Sequence, residues 1–598
     1  MDIKTFQDWY KEAEQGNQKW RDNAVENWKF YAGTQWDEST IQALKKEKRP
    51  YLTINKILPI INFLSGYQIQ NSYEIGITPK KNTTQNEALI LSEIIKSITD
   101  VSGLQSQISK FFLDGVITGR GFLTGRVSYD YDVIRGDLII ERISPLNVLY
   151  DPASEKNDLS DCEYVIKTVW MSADEIKALF PDKASDIDNI HLHTQEIKFR
   201  GAERSKYDDN TSVSVLQQSK LLVKEIWYLT PTTKYFIVSS GLIYTAYTQE
   251  DITAIIQQNQ LLNYQVISRP SRQLNLATVL GDLTLQDIQK PLGDFNQFPF
   301  VSFFPMKIEN IDEIDIRDLS IIDNLKDIQR EINKRRSQQL HIVNTFAHSG
   351  WLNKKNEGAD PRKLQEFGST PGIVIEYQNI PPAQITPPPP PQSVMLSEKE
   401  ATQDLKEISA VNPDLLGYQG QRGEPGIVLQ LRQRQGLIVQ EKLFQELENS
   451  VIRLGNMLID LIVKSKTFSK EEVLQIINDP TPEKIQAIDS LFASPDLKKF
   501  SVVVSIQPEA PTVKMLNFYK LTELMKMGVP IPLQILVEVS DIPYKDKILQ
   551  AIQPPQQQVS PEALQGLLGQ IQGQTGIAPN IPESGIPVPS EQGEPIGG

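Results

Sequence analysis

The segment RDLSIIDNLKDIQREINKRRSQQLHIVNTF, residues 317–346, decides the fold because it predicts a long amphipathic helix over residues 316–346. Apolar residues recur along it at steps of three and four, the spacing of one buried helix face. These residues are Leu319, Ile322, Leu325, Ile328, Ile332, Leu340 and Val343. The opposite face is basic and carries Arg330, Lys334, Arg335 and Arg336. At ~1.5 Å per residue, such a helix would be about 45 Å long.

A helix-poor insert at residues 347–392 follows this helix. Glycine and proline are frequent in it, and it ends in five consecutive prolines at residues 387–391. The apolar run at residues 372–377 lies between turn residues and therefore predicts a strand. The proline run cannot be helical and predicts a stiff, extended spacer.

Two further helices follow the insert. The first is predicted at residues 393–411. The glycine-rich segment at residues 412–426 comes next, and it lacks both the spacing and the Gly-Lys-Ser/Thr ending of a phosphate loop, so we predict no nucleotide site there. A very long helix then begins the region 427–510 and extends to about residue 464, with Gly436 as a candidate kink.

The N-terminal half alternates helices with short strands. Residues 6–31 predict a helix rich in aromatic residues, whose ordinary role is core packing. Residues 122–129 and 138–143 predict a β-hairpin. Residues 223–229 and 234–238 predict two strands joined by a turn that contains a proline. The segment from 248 to 289 is polar and rich in glutamine, and the sequence assigns no element to it.

The size and charge of the chain limit its function. At 598 residues it is too long for one core and should contain several subdomains. The net charge of -14 argues against tight, charge-driven DNA binding, because non-specific nucleic-acid binders are usually basic. A passage through which DNA slides is compatible with an acidic protein, since a basic wall would hold the phosphates.

No motif in the sequence indicates catalysis, a metal or a cofactor. Cys162 is the only cysteine, which excludes an intrachain disulfide and fits assembly in a reducing cytoplasm. A nucleophilic triad, zinc spacing and a Walker loop are all missing, and the carboxylates at 312, 313 and 315 are explained by solvation. We also predict no membrane partner, because no apolar run approaches the ~20 residues that span a bilayer. The sequence therefore predicts a protein that is not an enzyme.

The order of helix, small insert, helix, glycine-containing loop and long kinked helix resembles the portal proteins of tailed bacteriophages. The resemblance is greatest to the podovirus-like portals of short-tailed phages and covers residues 9–550. Its motifs are Arg-Asp-Leu at 317–319, the segment 328–337, a Tyr-x-Gly-x-Gln-Trp element at 31–36, and a Pro-x-Leu-x-Ile-Asn element at 50–55.

The resemblance implies a helix-rich α+β portal fold that assembles as a ring. Its parts would be an N-terminal wing (1–315), a first stem helix (316–346), a clip (347–392), a second stem helix (393–411), a tunnel loop (412–426), a long kinked helix with further wing (427–510), a crown (511–552) and a disordered tail rich in Pro, Gln and Gly (553–598).

The same resemblance implies a function. The ring, a homododecamer in mature phage, would be a channel at one capsid vertex through which double-stranded DNA is packaged and ejected. Its partners would be terminase, the major capsid and scaffolding proteins, and head-tail adaptors, and it would reside in the virion after assembly in the host cytoplasm. One alternative is a virion assembly or minor head scaffold protein that is not a conduit. A nucleic-acid-processing enzyme is disfavoured by the missing motifs and the acidic charge.

Site residues follow from this assignment. The candidate DNA contacts of the tunnel loop are Tyr418, Gln419, Gln421 and Arg422, and the open alternative is that these residues form a solvated surface loop. Glycines would supply the mobility of the loop and of the helix after it: Gly417, Gly420, Gly423, Gly426 and Gly436. The basic residues of the first stem helix would either contact phosphate or pair with carboxylates of the adjacent stem, such as Glu398, Glu400 or Asp404. The pairing is favoured, and which stem face lines the channel stays open.

Overall fold

A computed structural model describes most of the chain. The described residues are 1–81, 83–129, 136–190, 196–199, 219–239, 242–261, 263–309, 311, 313–347, 350–368, 370, 372–385, 392–411, 438–464, 468–477, 481–493, 499–508, 521–522, 524–532 and 535–537. The chain forms two units, Met1–Ile506 and Gln507–Gly598. The second unit is described only in short segments, so most of the predicted crown and all of the predicted tail lie outside the described residues.

Helices make up the larger part of the first unit. They are α1 (Ile3–Ala32), α2 (Glu38–Lys46), α3 (Ile57–Gln70), α4 (Gln85–Ser102), α5 (Leu104–Thr118), α6 (Ala173–Leu179), α7 (Ala184–Asp188), α8 (Gln249–Gln258), α9 (Ile314–Arg317), α10 (Lys326–Ala347), α11 (Pro361–Phe367), α12 (Gln392–Ser409), α13 (Glu441–Lys464), α14 (Lys470–Ile476) and α15 (Pro482–Ala493). No helix in the described ranges combines the length and the apolar character that crossing a membrane would need.

Strands form several small sheets and one large sheet. They are β1 (Asn71–Lys81), β2 (Gly121–Ser128), β3 (Asp137–Ile143), β4 (Val148–Tyr150), β5 (Tyr164–Ser172), β6 (Ile197–Phe199), β7 (Ser219–Ser239), β8 (Leu242–Ala246), β9 (Gln265–Leu280), β10 (Leu283–Gln289), β11 (Phe300–Phe303), β12 (Met306–Lys307), β13 (Asp318–Leu319), β14 (Trp351–Leu352), β15 (Ala383–Gln384) and β16 (Lys499–Pro508). The predicted helix-rich α+β class is confirmed.

The main core lies between helices α3, α4, α5 and α13 and the sheet β11-β2-β3. The predicted hairpin is confirmed, since β2 and β3 pair antiparallel with Phe122 opposite Ile143. On α13, an apolar side is buried at Leu447, Val451, Leu454, Leu458 and Leu461. The aromatic α1 also packs inside the chain, where Trp20 and Phe30 are buried.

Gly119 ends α5 and allows the chain to pass close to a distant segment. Its φ is +82°, in the left-handed region, and an added Cβ would lie 2.6 Å from the backbone oxygen of Asp318. We expect Gly119→Ala to lower the free energy of unfolding by about 1–3 kcal/mol, because it adds a clash to backbone strain. Chemical denaturation should show a smaller loss for Gly103→Ala, because Gly103 has a φ of +59° but open space around it. Equal losses for the two variants would contradict the close approach at Gly119.

The large sheet has the order β10-β9-β7-β5-β4, with β6 and β8 also paired to β7. The predicted pair of strands at 223–229 and 234–238 is wrong, because β7 is one strand that continues through Pro231. Its partner is β9, which pairs with it from Val223 to Val238 and comes from the segment left unassigned by the sequence. On its other edge, β7 pairs with β5 before Pro231 and with β8 after it, and no described strand pairs with that edge at Pro231 itself. The missing N–H of Pro231 therefore interrupts no hydrogen bonds on that edge.

The predicted helix at 316–346 is not continuous. Its first part is α9, the short strand β13 and a 3₁₀ turn, and only α10 is a long helix, of 22 residues or about 33 Å. The interruption arises because Asp318 and Leu319 pair with β12 and Ser320 then caps a new helical turn. The Ser320 hydroxyl accepts from the Asp323 N–H, and the Asp323 carboxylate accepts from the Ser320 N–H.

The insert between α10 and α12 contains α11 and the short pair β14–β15. The strand predicted at 372–377 is wrong, since the only bridge in it joins Tyr377 to Ala359. Gly372 has a φ of +78°, which is outside the range of an extended strand. Val374 is 86% exposed, so no sheet packs against this apolar side chain. The helix predicted after the insert is present as α12, and residues 387–391 lie outside the described residues.

Candidate functional site

Helices α10 and α12 pack side by side and form the candidate stem. Ile332 on α10 and Ala401 and Leu405 on α12 are buried in the same core. The apolar face of α10 does not stay covered along its whole length, because Val343 is 55% exposed and Phe346 45%. The described part of the chain therefore covers the first half of α10 but not its second half.

Arg330 joins α10 to α1. Its guanidinium forms ion pairs with Glu26 on α1 and, at 2.8 Å, with Asp327 on its own helix. It also lies 5.0 Å from the centre of the Phe30 ring. This arginine is therefore engaged at the junction between the two helices.

The other three basic residues predicted for this face of α10 differ in their partners. Arg335 pairs with Glu331 on its own helix at 3.3 Å. Arg336 lies 3.8 Å from Glu398 on α12, one of the carboxylates suggested by the sequence. Lys334 is exposed and forms no ion pair with the residues that the structure describes. Arg330, Lys334 and Arg335 thus line one open hollow together with two acidic residues, whereas Arg336 pairs with α12.

The predicted tunnel loop lies outside the described residues. This applies to the candidate DNA contacts and to the candidate hinges: Tyr418, Gln419, Gln421, Arg422, Gly417, Gly420, Gly423, Gly426 and Gly436. Their roles remain predictions.

A row of polar side chains on α10, missed by the sequence analysis, holds the extended segment 50–56. We call this segment the strap and the row, formed by Gln329, Asn333 and Ser337, the polar ladder. Gln329 Oε1 accepts from the Lys56 N–H (3.0 Å), Asn333 Oδ1 from the Ile54 N–H (2.9 Å), and Ser337 Oγ from the Leu52 N–H (2.8 Å). The signal in the sequence is the spacing of four between three polar residues beside buried apolar ones.

The polar ladder also binds the N-terminal motif at 31–36. Asn333 donates from Nδ2 to Gln35 Oε1 at 2.7 Å, and Asn55 of the strap donates to the Tyr31 carbonyl at 2.9 Å. Trp36 donates from its indole nitrogen to the Leu52 carbonyl at 3.1 Å. The two N-terminal motifs and the 328–337 motif are therefore parts of one contact.

Lys56 extends the strap to the second helix of the pair. Its Nζ donates to the hydroxyl of Thr402 on α12 at 2.9 Å. Burial lowers the pKa of Lys56, and the charge of Glu398 partly offsets this effect. The strap is thus bonded to both helices and to the end of α1.

A second missed feature is the buried ion cluster, formed by Arg120, Tyr150, Arg317 and Asp318. Arg120 Nε donates to Asp318 Oδ2 at 2.8 Å, and both side chains are 0% exposed. The Tyr150 hydroxyl donates to the same oxygen, and burial raises the pKa of Tyr150. The Arg120 guanidinium lies 3.7 Å from the centre of the Trp20 ring. The Arg-Asp-Leu motif at 317–319 therefore supplies two members of this cluster.

The buried ion cluster holds structure and offers no access to a substrate. Arg317 donates to the Pro152 carbonyl at 3.2 Å, just after β4. Arg120, which follows α5, stacks on Trp20 of α1 and pairs with Asp318 of β13, so the cluster connects all four elements. Cys162 is also buried, and burial raises the pKa of its thiol to about 12, which leaves it protonated and unreactive. Among the described residues, no group of three or more His, Cys, Asp or Glu side chains could hold a metal.

A helix pair separated by an insert and fastened to an α+β body is consistent with the portal fold that the sequence resemblance implies. The family model for phage P22-like portal protein matches residues 7–575, so the chain belongs to this family, which is structural and not enzymatic. The expected family is confirmed.

A curated relative is also similar over part of the chain. The portal protein of Helicobacter pylori bacteriophage KHP30 is 26% identical over 158 residues, which are 26% of this chain and 25% of that protein. The match thus spans about a quarter of the length of this relative.

Proposed function

We propose that the chain assembles into a closed ring of identical subunits, a dodecamer, at one vertex of a phage capsid. Double-stranded DNA passes through the channel of this ring during packaging and ejection. The observation that carries the proposal is the family match over residues 7–575. The paired helices α10 and α12, fixed to a large body by the strap, agree with a stem that projects from a wing.

The parts of the subunit have proposed roles within this ring. The body before α10 is the wing, the insert is the clip, and residues 412–426 are the tunnel loop. The loop contacts DNA through Tyr418, Gln419, Gln421 and Arg422, and its glycines make it mobile. The net charge of -14 favours a channel that lets phosphates slide over one that binds them.

The proposed partners follow from a place at the capsid vertex. Terminase docks on the ring and supplies the ATP-driven motor. The sequence of this chain has no ATP-binding motif of its own. The major capsid and scaffolding proteins surround the ring during assembly in the host cytoplasm, and head-tail adaptors bind after packaging. The mature protein resides in the virion.

Imaging of the purified protein by negative-stain electron microscopy tests the proposal. We expect views down the particle axis to show rings of about a dozen subunits around an open channel wide enough for duplex DNA. A compact oligomer without a channel would contradict the conduit and favour a scaffold protein of the virion.

Deletion of residues 417–426 is expected to leave ring assembly intact and to impair DNA packaging or retention strongly. The reason is that the loop contributes contacts to DNA and not to the packed core. Ring yield is measured by electron microscopy, and packaged DNA by nuclease protection in particles. A matched variant replaces the ten residues by a Gly/Ser linker of equal length, which keeps mobility but removes Tyr418 and Arg422. Normal packaging by both variants would count against the tunnel-loop assignment.

A further inference from the structure

The exposed faces of the two stem helices carry opposite excess charge. On α10 three basic residues stand with two acidic ones, and on α12 one basic residue stands with three acidic ones. The α10 residues are Asp327, Arg330, Glu331, Lys334 and Arg335; those of α12 are Lys399, Glu400, Asp404 and Glu407. We call these sets the basic face and the acidic face.

Much of the charge on the two faces is not neutralised by the described residues. On the basic face, Asp327 and Glu331 pair with the two arginines, but Lys334 forms no ion pair with a described residue. This face lines an open hollow of about 430 Å³. On the acidic face, Glu400 and Asp404 form no ion pair with the described part of the chain. Each face thus has charge available for a partner.

Lys334 and Glu400 lie on outer sides of the helix pair. At 100° per residue, Lys334 is about 160° around α10 from the buried Ile332, and Glu400 is about 140° around α12 from the buried Leu405. Ile332 and Leu405 belong to the same core, and Arg336 and Glu398 pair between the helices. Within one subunit, therefore, the basic and acidic faces do not meet.

We infer that Lys334 of one subunit pairs with Glu400 and Asp404 of the next subunit in the ring. This inference rests on the proposed function. Cyclic rings use head-to-tail contacts, in which one face of a subunit meets a different face of its neighbour. A basic face and an acidic face on outer sides of one helix pair satisfy that requirement. The partner is a second copy of this chain, because the acidic face supplies the charge that the basic face lacks.

Charge reversal should have a larger effect on assembly than on folding. Exposed ion pairs stabilise a protein weakly, but like charges placed opposite each other across an interface are strongly unfavourable. The same repulsion recurs at every contact of a closed ring. We expect the protein concentration for half-maximal assembly to rise by at least about tenfold in a reversed variant.

The test uses two complementary variants of the full chain, Lys334→Glu and the double variant Glu400→Lys with Asp404→Lys. Each alone is expected to stay largely unassembled at concentrations where the wild type forms rings. Mixed in equal amounts, they are expected to form rings of alternating subunits, because every contact then joins opposite charges. Size-exclusion chromatography with light scattering measures assembly, and native mass spectrometry measures the subunit ratio. Rings from the mixture also prove that both variants are folded.

Other outcomes have equally definite meanings. Normal rings from either variant alone would overturn the pairing. If those rings also protect less DNA from nuclease, the basic face contacts phosphate instead. Folded variants that stay apart when mixed would also overturn it. A wild type that forms no rings would overturn the proposed function itself. Lys110→Glu, which reverses an exposed lysine on α5, is the matched control and should assemble as the wild type does.

Discussion

Replacing Asp318 with alanine is expected to lower the free energy of unfolding by about 3–5 kcal/mol, because it leaves a buried charge without its partner. Arg120 and Asp318 are 2.8 Å apart and 0% exposed. Water cannot replace the lost carboxylate around Arg120, and the Tyr150 hydroxyl loses its acceptor. Chemical denaturation followed by tryptophan fluorescence measures the loss, since Trp20 stacks on Arg120.

Two further variants separate the stranded charge from the loss of a carboxylate in general. Asp327→Ala removes a carboxylate that also pairs with an arginine but is 93% exposed, and it should leave the denaturation midpoint unchanged. The double variant Arg120→Met with Asp318→Ala should recover part of the loss, because it removes one of the two buried cations that pair with Asp318, Arg120 and Arg317. A midpoint of Asp318→Ala equal to that of Asp327→Ala would show that the buried ion cluster does not stabilise the fold.

Most helices could be predicted because their signals are local. The apolar period, a capping box such as that of Thr84 and Glu87, and a terminal glycine such as Gly33 all lie within a few residues of one another. The hairpin β2–β3 was predictable for the same reason. The stretch before α10 was not, because an apolar period continues through residues whose conformation is decided by contacts with α5 and β12.

Long-range pairing explains what the sequence analysis missed. The pairing of β7 with β9 decides that Pro231 lies inside a strand, and nothing next to Pro231 indicates this. The polar ladder joins residues that are 273 to 285 positions apart, so its role is visible only when the strap lies against α10. The basic residues of α10 were correctly placed on a helix, but their individual partners depend on α1 and α12.

Asn333→Ala is expected to release the strap and to lower the free energy of unfolding by about 2–4 kcal/mol, because it leaves buried polar groups without partners. Asn333 is 1% exposed. Its side chain accepts from the Ile54 N–H at 2.9 Å and donates to Gln35 at 2.7 Å. Hydrogen exchange is the decisive measurement, and the backbone amides of Leu52, Ile54 and Lys56 should lose protection before the core of the body does.

A control on the same helix distinguishes the polar ladder from a general effect of α10. Arg335→Ala removes an exposed side chain that contacts Glu331 on its own helix, and it should leave exchange in the strap unchanged. Unchanged exchange at Ile54 in Asn333→Ala would instead mean that the strap is held without the polar ladder.

The strap variant also connects the motifs of the chain to the proposed ring. The strap bonds to Tyr31 at the end of α1, to α10 through the polar ladder and to α12 through Lys56. Because these three bonds contribute to fixing the helix pair on the body, together with the Arg330–Glu26 ion pair and the shared core, a loosened strap would let the stem change its angle to the wing more easily. Asn333→Ala is therefore expected to yield fewer closed rings than the control Lys110→Glu at equal concentration, although its body remains folded. Equal ring yields would mean that the strap stabilises the subunit alone.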